Sequence, residues 1–149
     1  MATATWRDHA IDQEAVLARF GFRFGDTGMH TSRTMMLAEL VDLLAALPRS
    51  ATRDDYRSAI VEHNVLGKST NASRRLTNQR LGELYGLDPA IPVFRVLRRL
   101  WDLDEDGRPL VAMMCALTRD PLLRARARVR CRARSPARMR RRAPWPDGG

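Results

Sequence analysis

The fold class is decided by residues 68–86, which read KSTNASRRLTNQRLGELYG. Ser69 or Thr70 can cap the start of a helix, and Gly86 can end it. On a wheel of about 100° per residue, apolar side chains occupy one broad arc. These side chains are Ala72, Leu76, Leu81, Leu84 and Tyr85. The spacing therefore predicts a helix over 71–85 with one face in a hydrophobic core.

Two helices are predicted in the first third of the chain. The first is expected over 11–20, with Asp12 as its cap and a glycine-rich loop after it. The second is expected over 33–47, after a cap at Thr31 or Ser32. It is apolar on most of its sides, which is typical of a helix at the centre of a bundle.

A capping box predicts the start of the third helix. Thr52 and Asp55 stand three residues apart, and in this motif each side chain accepts a hydrogen bond from the other residue's backbone N–H. The helix is expected near 53–63. Its predicted buried residues are Tyr56, Ala59 and Ile60.

Three more helices are predicted downstream. Asp88-Pro89 and Asp120-Pro121 both have the cap-then-proline pattern of a helix start. Between them, residues 109–117 are rich in Ala, Met and Leu, which favours a helix over a strand. In the helix after Pro89, the predicted apolar stripe is Val93, Val96, Leu97, Leu100 and Trp101, opposite Arg95, Arg98, Arg99 and Asp102. The sequence as a whole predicts an all-α protein, a small helical bundle.

Positive charge is concentrated at the end of the chain. The net charge is +9, yet residues 1–123 contain sixteen basic and sixteen acidic side chains. Residues 124–149 contain ten arginines and one acid, and their alternating arginines give neither a helix nor a strand an apolar face. We therefore predict a helical domain over 1–123 and a disordered basic tail over 124–149. Two origins of the tail stay open, a frame-shifted extension and a natural basic arm for nucleic acid.

Cysteine use and hydropathy predict a cytoplasmic protein. Cys115 lies in an apolar run and is expected in the core, and Cys131 lies in the predicted tail, so no disulfide framework is expected. The longest apolar runs, 35–47 and 109–117, are shorter than the roughly 20 residues that a membrane-spanning helix needs. The N-terminal residues contain acids and have no apolar stretch typical of a signal peptide.

No residue pattern predicts a catalytic site. Gly67-Lys68-Ser69 imitates the end of a phosphate-binding loop, but Glu62 occupies the position of the motif's first glycine. The histidines at 9, 30 and 63 do not have metal-ligand spacing. We therefore expect no enzymatic activity, no cofactor and no metal.

The outer face of the 71–85 helix predicts contacts with nucleic acid. It mixes arginine with amides, side chains that can bond phosphates and base edges, and the start of a helix favours an anion. The predicted contacts are Lys68, Asn71, Arg74, Arg75 and Asn78. Two plainer interpretations stay open, namely N-capping by Ser69 and Thr70 and a solvated face. Arg80 falls within the apolar arc, which predicts a buried ion pair with an acid such as Glu62.

Three segments resemble the signature of the BrxA-like family of bacteriophage-exclusion (BREX) systems. Residues 62–70 read EHNVLGKST, followed by SRRL at 73–76 and QRLGEL at 79–84. The family pattern is roughly E-N-x-L-x-K-x-[ST], then S-x-R-R, then R-L-x-x-L. Residues 29–40, MHTSRTMMLAEL, resemble one branch of the family. The likeness covers residues 15–123 approximately.

The resemblance implies a small helical protein, similar in fold to the antitermination factor NusB, that binds DNA and works with larger BREX components against phage. It also implies further helices where this chain has the arginine-rich segment, so the bundle is expected to be shortened at its end. Two alternatives stay open: a protein-interaction or assembly module without nucleic-acid binding, which the balanced charge of residues 1–123 favours, and an RNA-binding NusB-like factor.

Overall fold

The computed structural model describes residues 6–25 and 35–133, and their side chains over 13–25 and 35–128. In the described ranges the chain forms seven α-helices and no strand, which confirms the predicted all-α fold class. The helices are α1 (Trp6–Phe20), α2 (Leu37–Ala46), α3 (Arg53–Val61), α4 (Asn71–Tyr85), α5 (Pro92–Trp101), α6 (Arg108–Arg119) and α7 (Pro121–Ala133). None of these helices is long and apolar enough to cross a membrane.

The core lies between α2, α3, α4, α5 and α6. Its largest fully buried side chains are Tyr56, Tyr85, Phe94, Leu40, Leu43, Ile60, Leu81 and Leu97. The rings of Tyr56 and Phe94 meet edge to face with their centroids 5.4 Å apart, an arrangement that aromatic pairs favour. Cys115 is buried, as predicted, and burial raises the pKa of its thiol to about 12. This thiol is therefore neutral at physiological pH and serves as a small core residue.

The bounds of α4 are confirmed, because both of its ends are formed locally. Thr70 Oγ accepts a hydrogen bond from Ser73 N at 3.1 Å, and Thr70 N donates to Ser73 Oγ at 3.2 Å. Gly86 ends the helix at φ 92°, a conformation that glycine adopts without strain. This arrangement confirms capping at Thr70.

The predicted apolar arc of α4 is only partly right. Leu81, Leu84 and Tyr85 are buried, whereas Ala72 and Leu76 are exposed. Thr77 is buried in their place. The core packs only against the later turns of α4, so apolar side chains in its first turns remain in contact with solvent.

The predicted start of α3 and its buried residues are confirmed. Thr52 and Asp55 form the capping box, and Tyr56, Ala59 and Ile60 are buried. The helix ends at Val61 rather than near residue 63. Asn64 takes the left-handed conformation at φ 51°, and Val65 N donates back to Ala59 O at 3.0 Å. The chain thus turns away from the helix at Asn64, a residue type that tolerates the left-handed conformation.

Three predicted helix starts are wrong. α1 begins at Trp6, so Asp12 lies inside the helix and is not its cap. α2 begins at Leu37, because Met36 is left-handed at φ 49° and buried; the proposed caps Thr31 and Ser32 lie outside the described residues. α5 begins at Pro92, because Asp88 Oδ1 instead accepts from Ala90 N at 2.8 Å and forms a local turn. At α7 the pattern is confirmed, since Asp120 Oδ1 accepts from the backbone N–H groups of the first turn.

The predicted stripe of α5 is also partly wrong. Val96 and Leu100 are exposed, whereas Phe94 and Arg98 are buried. The reason is that the Arg98 guanidinium donates to the backbone carbonyls of Leu44 and Leu47 at the end of α2, at 3.3 and 3.1 Å. These bonds turn the Arg98 side of α5 towards α2 and satisfy carbonyls that the helix end leaves free.

The fold continues past the predicted boundary at Leu123, which corrects that boundary. α7 runs to Ala133, and Arg124 belongs to the packed part. Its guanidinium donates to Leu117 O and Thr118 O at 3.0 Å and lies over the rings of Phe22 and Phe24. The predicted disorder of the rest of the tail concerns residues 134–149, which lie outside the described residues.

Candidate nucleic-acid interface

Lys68, the first predicted phosphate contact, is already paired in the structure. Its Nζ lies 3.1 Å from Glu39 Oε1, and both side chains are partly buried. Its backbone N–H donates to Asn64 Oδ1 at 2.8 Å. Burial by itself would raise the pKa of Glu39, but a backbone hydrogen bond and the Lys68 ammonium lower that pKa overall. Lys68 therefore joins the segment before α4 to α2.

The ion pair between Lys68 and Glu39 should make the stability of the fold fall at acid pH. Since the pKa of Glu39 is lowered in the folded state, its contribution is fully present above the ordinary glutamate pKa of about 4.3 and is lost as pH falls through the folded value. We expect Glu39→Gln to lower the free energy of unfolding by up to about 1 kcal/mol at pH 7 and by much less at pH 3. Urea unfolding of both proteins at the two pH values measures this. An equal difference in the free energy of unfolding at both pH values would contradict a lowered pKa for Glu39.

Arg74 also has a structural role. Its Nε and Nη1 lie 3.5 Å from Lys68 O and Val61 O, so the guanidinium connects the end of α3 to the start of α4. Asn71 and Arg75 are exposed on the first turns of α4, and Asn78 is half-buried further along the helix. The five predicted contacts therefore do not form one group: Lys68 and Arg74 bond neighbouring segments, and the three others remain available to a ligand.

The prediction for Arg80 is wrong. Arg80 is half-buried and forms no ion pair within the described ranges. Glu62, its expected partner, accepts from Ser58 Oγ at 2.7 Å. Among the residues whose side chains the structure describes, the buried arginine is Arg98, at 6% exposure.

Three adjoining pockets surround the Asp88-Pro89 turn. One, of about 370 Å³, lies between α3 and α4, and a second, of about 510 Å³, shares Arg53, Arg57 and Asp88 with it. A third, of about 230 Å³, lies on α5 and shares Pro89 with the second. We call the three together the arginine groove. Its lining arginines are Arg23, Arg49, Arg53, Arg57, Arg95, Arg98, Arg99 and Arg119, and its lining acids are Asp54, Glu83 and Asp88.

The arginines of this groove fall into two sets. Arg119 donates to the backbone carbonyls of Glu83 and Gly21, Arg98 donates to those at the end of α2, and Arg49 pairs with Asp102. The other set is exposed and forms no ion pair among the residues that the structure describes. Its members on α3 and α5 are Arg53, Arg57, Arg95 and Arg99.

The side chains that line the groove are chemically suited to phosphate groups. Guanidinium groups bind phosphate oxygens with two parallel hydrogen bonds, and they stay charged at every physiological pH. Asn78 and Gln79 line the same groove and offer amide groups of the kind that bond base edges. Sequence reasoning missed this site because its residues come from segments far apart in the chain. The signal that could have found it is the pair of four-residue spacings, Arg53/Arg57 and Arg95/Arg99.

Comparison with models of protein families, with curated proteins and with solved structures gives no match for this chain. The geometry of the groove is therefore the main basis for a functional proposal.

Proposed function

We propose that this protein is a non-enzymatic accessory component of a bacterial phage-defence system and binds duplex DNA through the arginine groove. The observation that carries the proposal is a set of four exposed arginines that form no ion pair with a described residue and line neighbouring pockets, namely Arg53, Arg57, Arg95 and Arg99. Residues 1–123 as a whole have balanced charge, so this positive surface is a local feature of the fold. Clustered arginine is the electrostatic footprint of a phosphate-binding surface.

Repulsion within the groove supports a bound anion. Arg53 and Arg57 stand four residues apart on α3, as Arg95 and Arg99 do on α5, and like charges at this spacing destabilise a helix. On α3 the neighbouring Asp54 and Asp88 partly offset this repulsion. No acid is among the described residues that line the pocket beside Arg95 and Arg99, so a ligand phosphate relieves the repulsion chiefly on α5. The arginines are spread over three pockets, of which neighbouring ones share lining residues, and this spread suits a chain of phosphates better than a single small anion.

The phage-defence part of the proposal rests on the BrxA-like sequence segments. In this fold, those segments include the contacts that connect α3 with α4, such as Arg74 to Val61 O. The proposal includes other BREX components as partners and the cytoplasm as the location.

The salt dependence of binding tests the proposal. The full chain and a chain ending at Ala133 are titrated into a fluorescent duplex at several salt concentrations. We expect the shortened chain to retain salt-dependent binding, since both α3 and α5 are intact. Loss of all binding on removal of residues 134–149 would show that the basic tail binds the DNA and would contradict the groove. Much tighter binding to single-stranded RNA of equal length would favour the RNA-binding alternative.

A second candidate, a protein-interaction module, is favoured by an apolar surface on α6. Leu110, Met113 and Met114 are large exposed side chains there, with exposures of 65%, 44% and 60%. Leu103, just before this helix, is 76% exposed. Flexible methionine side chains adapt to partner surfaces, and contiguous exposed apolar groups mark interaction sites. If the chain binds neither DNA nor RNA in the titration, the protein-interaction module is the candidate that remains.

A further inference from the structure

The α5 end of the arginine groove is a pocket with a distinct chemistry. Its volume is about 230 Å³, and it is lined by Arg49, Pro89, Phe94, Arg95, Arg98 and Arg99. None of these described lining residues is an acid. Arg49 is paired with Asp102, which does not line the pocket. The pocket thus combines several guanidinium groups with an apolar wall of Phe94 and Pro89.

Arg98 places a buried positive charge in the wall of the pocket. The residue is 6% exposed, and its two terminal nitrogens donate to Leu44 O and Leu47 O. Its Nε is buried and has no hydrogen-bond partner within the described part of the chain. Tyr56 Oη is buried without a partner among the described residues as well. Because Nε is covered by protein atoms, Arg98 contributes its positive charge to the pocket and not a donor that a ligand touches.

Arg95 and Arg99 supply the donors that a ligand can reach. They lie one turn apart on the exposed side of α5, and both line the pocket next to Arg98. Neither forms an ion pair with any described residue. Three guanidinium groups around one small volume match an anion that carries several oxygens and about two negative charges.

We propose that this pocket binds a single phosphate group, with donors from Arg95 and Arg99 next to the buried positive charge of Arg98. The phosphate comes either from the backbone of a nucleic acid lying in the groove or from a small phosphorylated molecule. The site is inferred from its own geometry and does not require that the rest of the groove binds DNA.

Calorimetric titration with inorganic phosphate tests the site on the full chain in a buffer without other oxyanions. The test variant is Arg95→Gln/Arg99→Gln. The control is Arg19→Gln/Arg126→Gln, which removes the same charge from exposed positions outside the pocket. We expect binding to weaken by about tenfold or more in the test variant and to stay unchanged in the control. The Nε–Hε resonance of Arg98 should also shift on addition of phosphate.

Two results would overturn the proposal: no phosphate binding by the native chain, or equal affinities in the test and control variants. Neither result bears on DNA binding by Arg53 and Arg57. The proposal of a phosphate site can therefore be wrong while the proposal of DNA binding is right. A parallel titration with a duplex identifies the source of the phosphate. If the test variant weakens both phosphate and duplex binding, the site holds a backbone phosphate. If only phosphate binding is weakened, the ligand of the site is a small phosphorylated molecule, and Arg95 and Arg99 take no part in DNA binding.

Discussion

Arg98→Ala is expected to lower the free energy of unfolding by about 3 kcal/mol or more, because each hydrogen bond from a charged donor contributes about 1.5–3 kcal/mol. The substitution removes the bonds to Leu44 O and Leu47 O and leaves these carbonyls at the end of α2 without their partner. It also removes a cation from the C-terminal end of that helix, where positive charge is favourable. The same side chain fixes which side of α5 faces the core, so the loss should extend to the packing of Phe94 and Leu97.

Two further variants separate the causes. Arg98→Met keeps the apolar stem and removes the donors, so it should retain most of the loss if the hydrogen bonds dominate. Arg95→Ala, on the exposed side of the same helix, should change the stability by no more than about 0.5 kcal/mol. Urea unfolding measures all three. Equal midpoints for Arg98→Ala and Arg95→Ala would contradict the structural role of Arg98.

Arg53→Gln/Arg57→Gln is expected to weaken duplex DNA binding by about 50-fold at 0.1 M salt, since each lost phosphate contact removes about 0.9 from the slope of log affinity against log salt. The slope itself should fall by about 2. Both side chains are exposed on α3 and belong to the capped first part of that helix, whose capping residues are unchanged. Glutamine can still donate hydrogen bonds, so the change isolates the charge.

The matched control is again Arg19→Gln/Arg126→Gln, at exposed positions outside the groove. It has the same net charge and should bind DNA far more tightly than the α3 variant. Fluorescence anisotropy at several salt concentrations gives both affinity and slope. Equal losses in the two variants would mean that net charge alone controls binding, and the groove would have no specific part in it.

The sequence predicted correctly the helix ends that are formed by contacts between residues close together in the chain. Thr70 and Gly86 bound α4 as expected, because a capping box and a left-handed glycine act within a few residues. The start of α2 could not be predicted, since Met36 takes its left-handed conformation where Tyr85 Oη donates to Met35 O from 50 residues away. The sequence also places Asp88 before a proline, but the choice between a helix cap and a turn depends on the path of the chain into α5.

The candidate site was less predictable than the fold. A helical wheel identifies an arginine among apolar neighbours, but it assigned burial to Arg80 and exposure to Arg98, because it contains no information on where α2 ends. Likewise, the free charge expected at Lys68 is paired with Glu39, which precedes it by 29 residues. The groove joins arginines from α3 and α5 through the turn at Pro89, and only packing brings them together.

Arginine footprinting tests the central claim most directly, which is that the folded helices bind DNA through the groove. The full chain is treated with phenylglyoxal with and without duplex DNA, and the modified arginines are located by mass spectrometry. We expect DNA to protect Arg53, Arg57, Arg95 and Arg99, while Arg19, which is exposed on α1, stays reactive. Protection confined to arginines after Ala133, with these four equally reactive in both samples, would contradict the account.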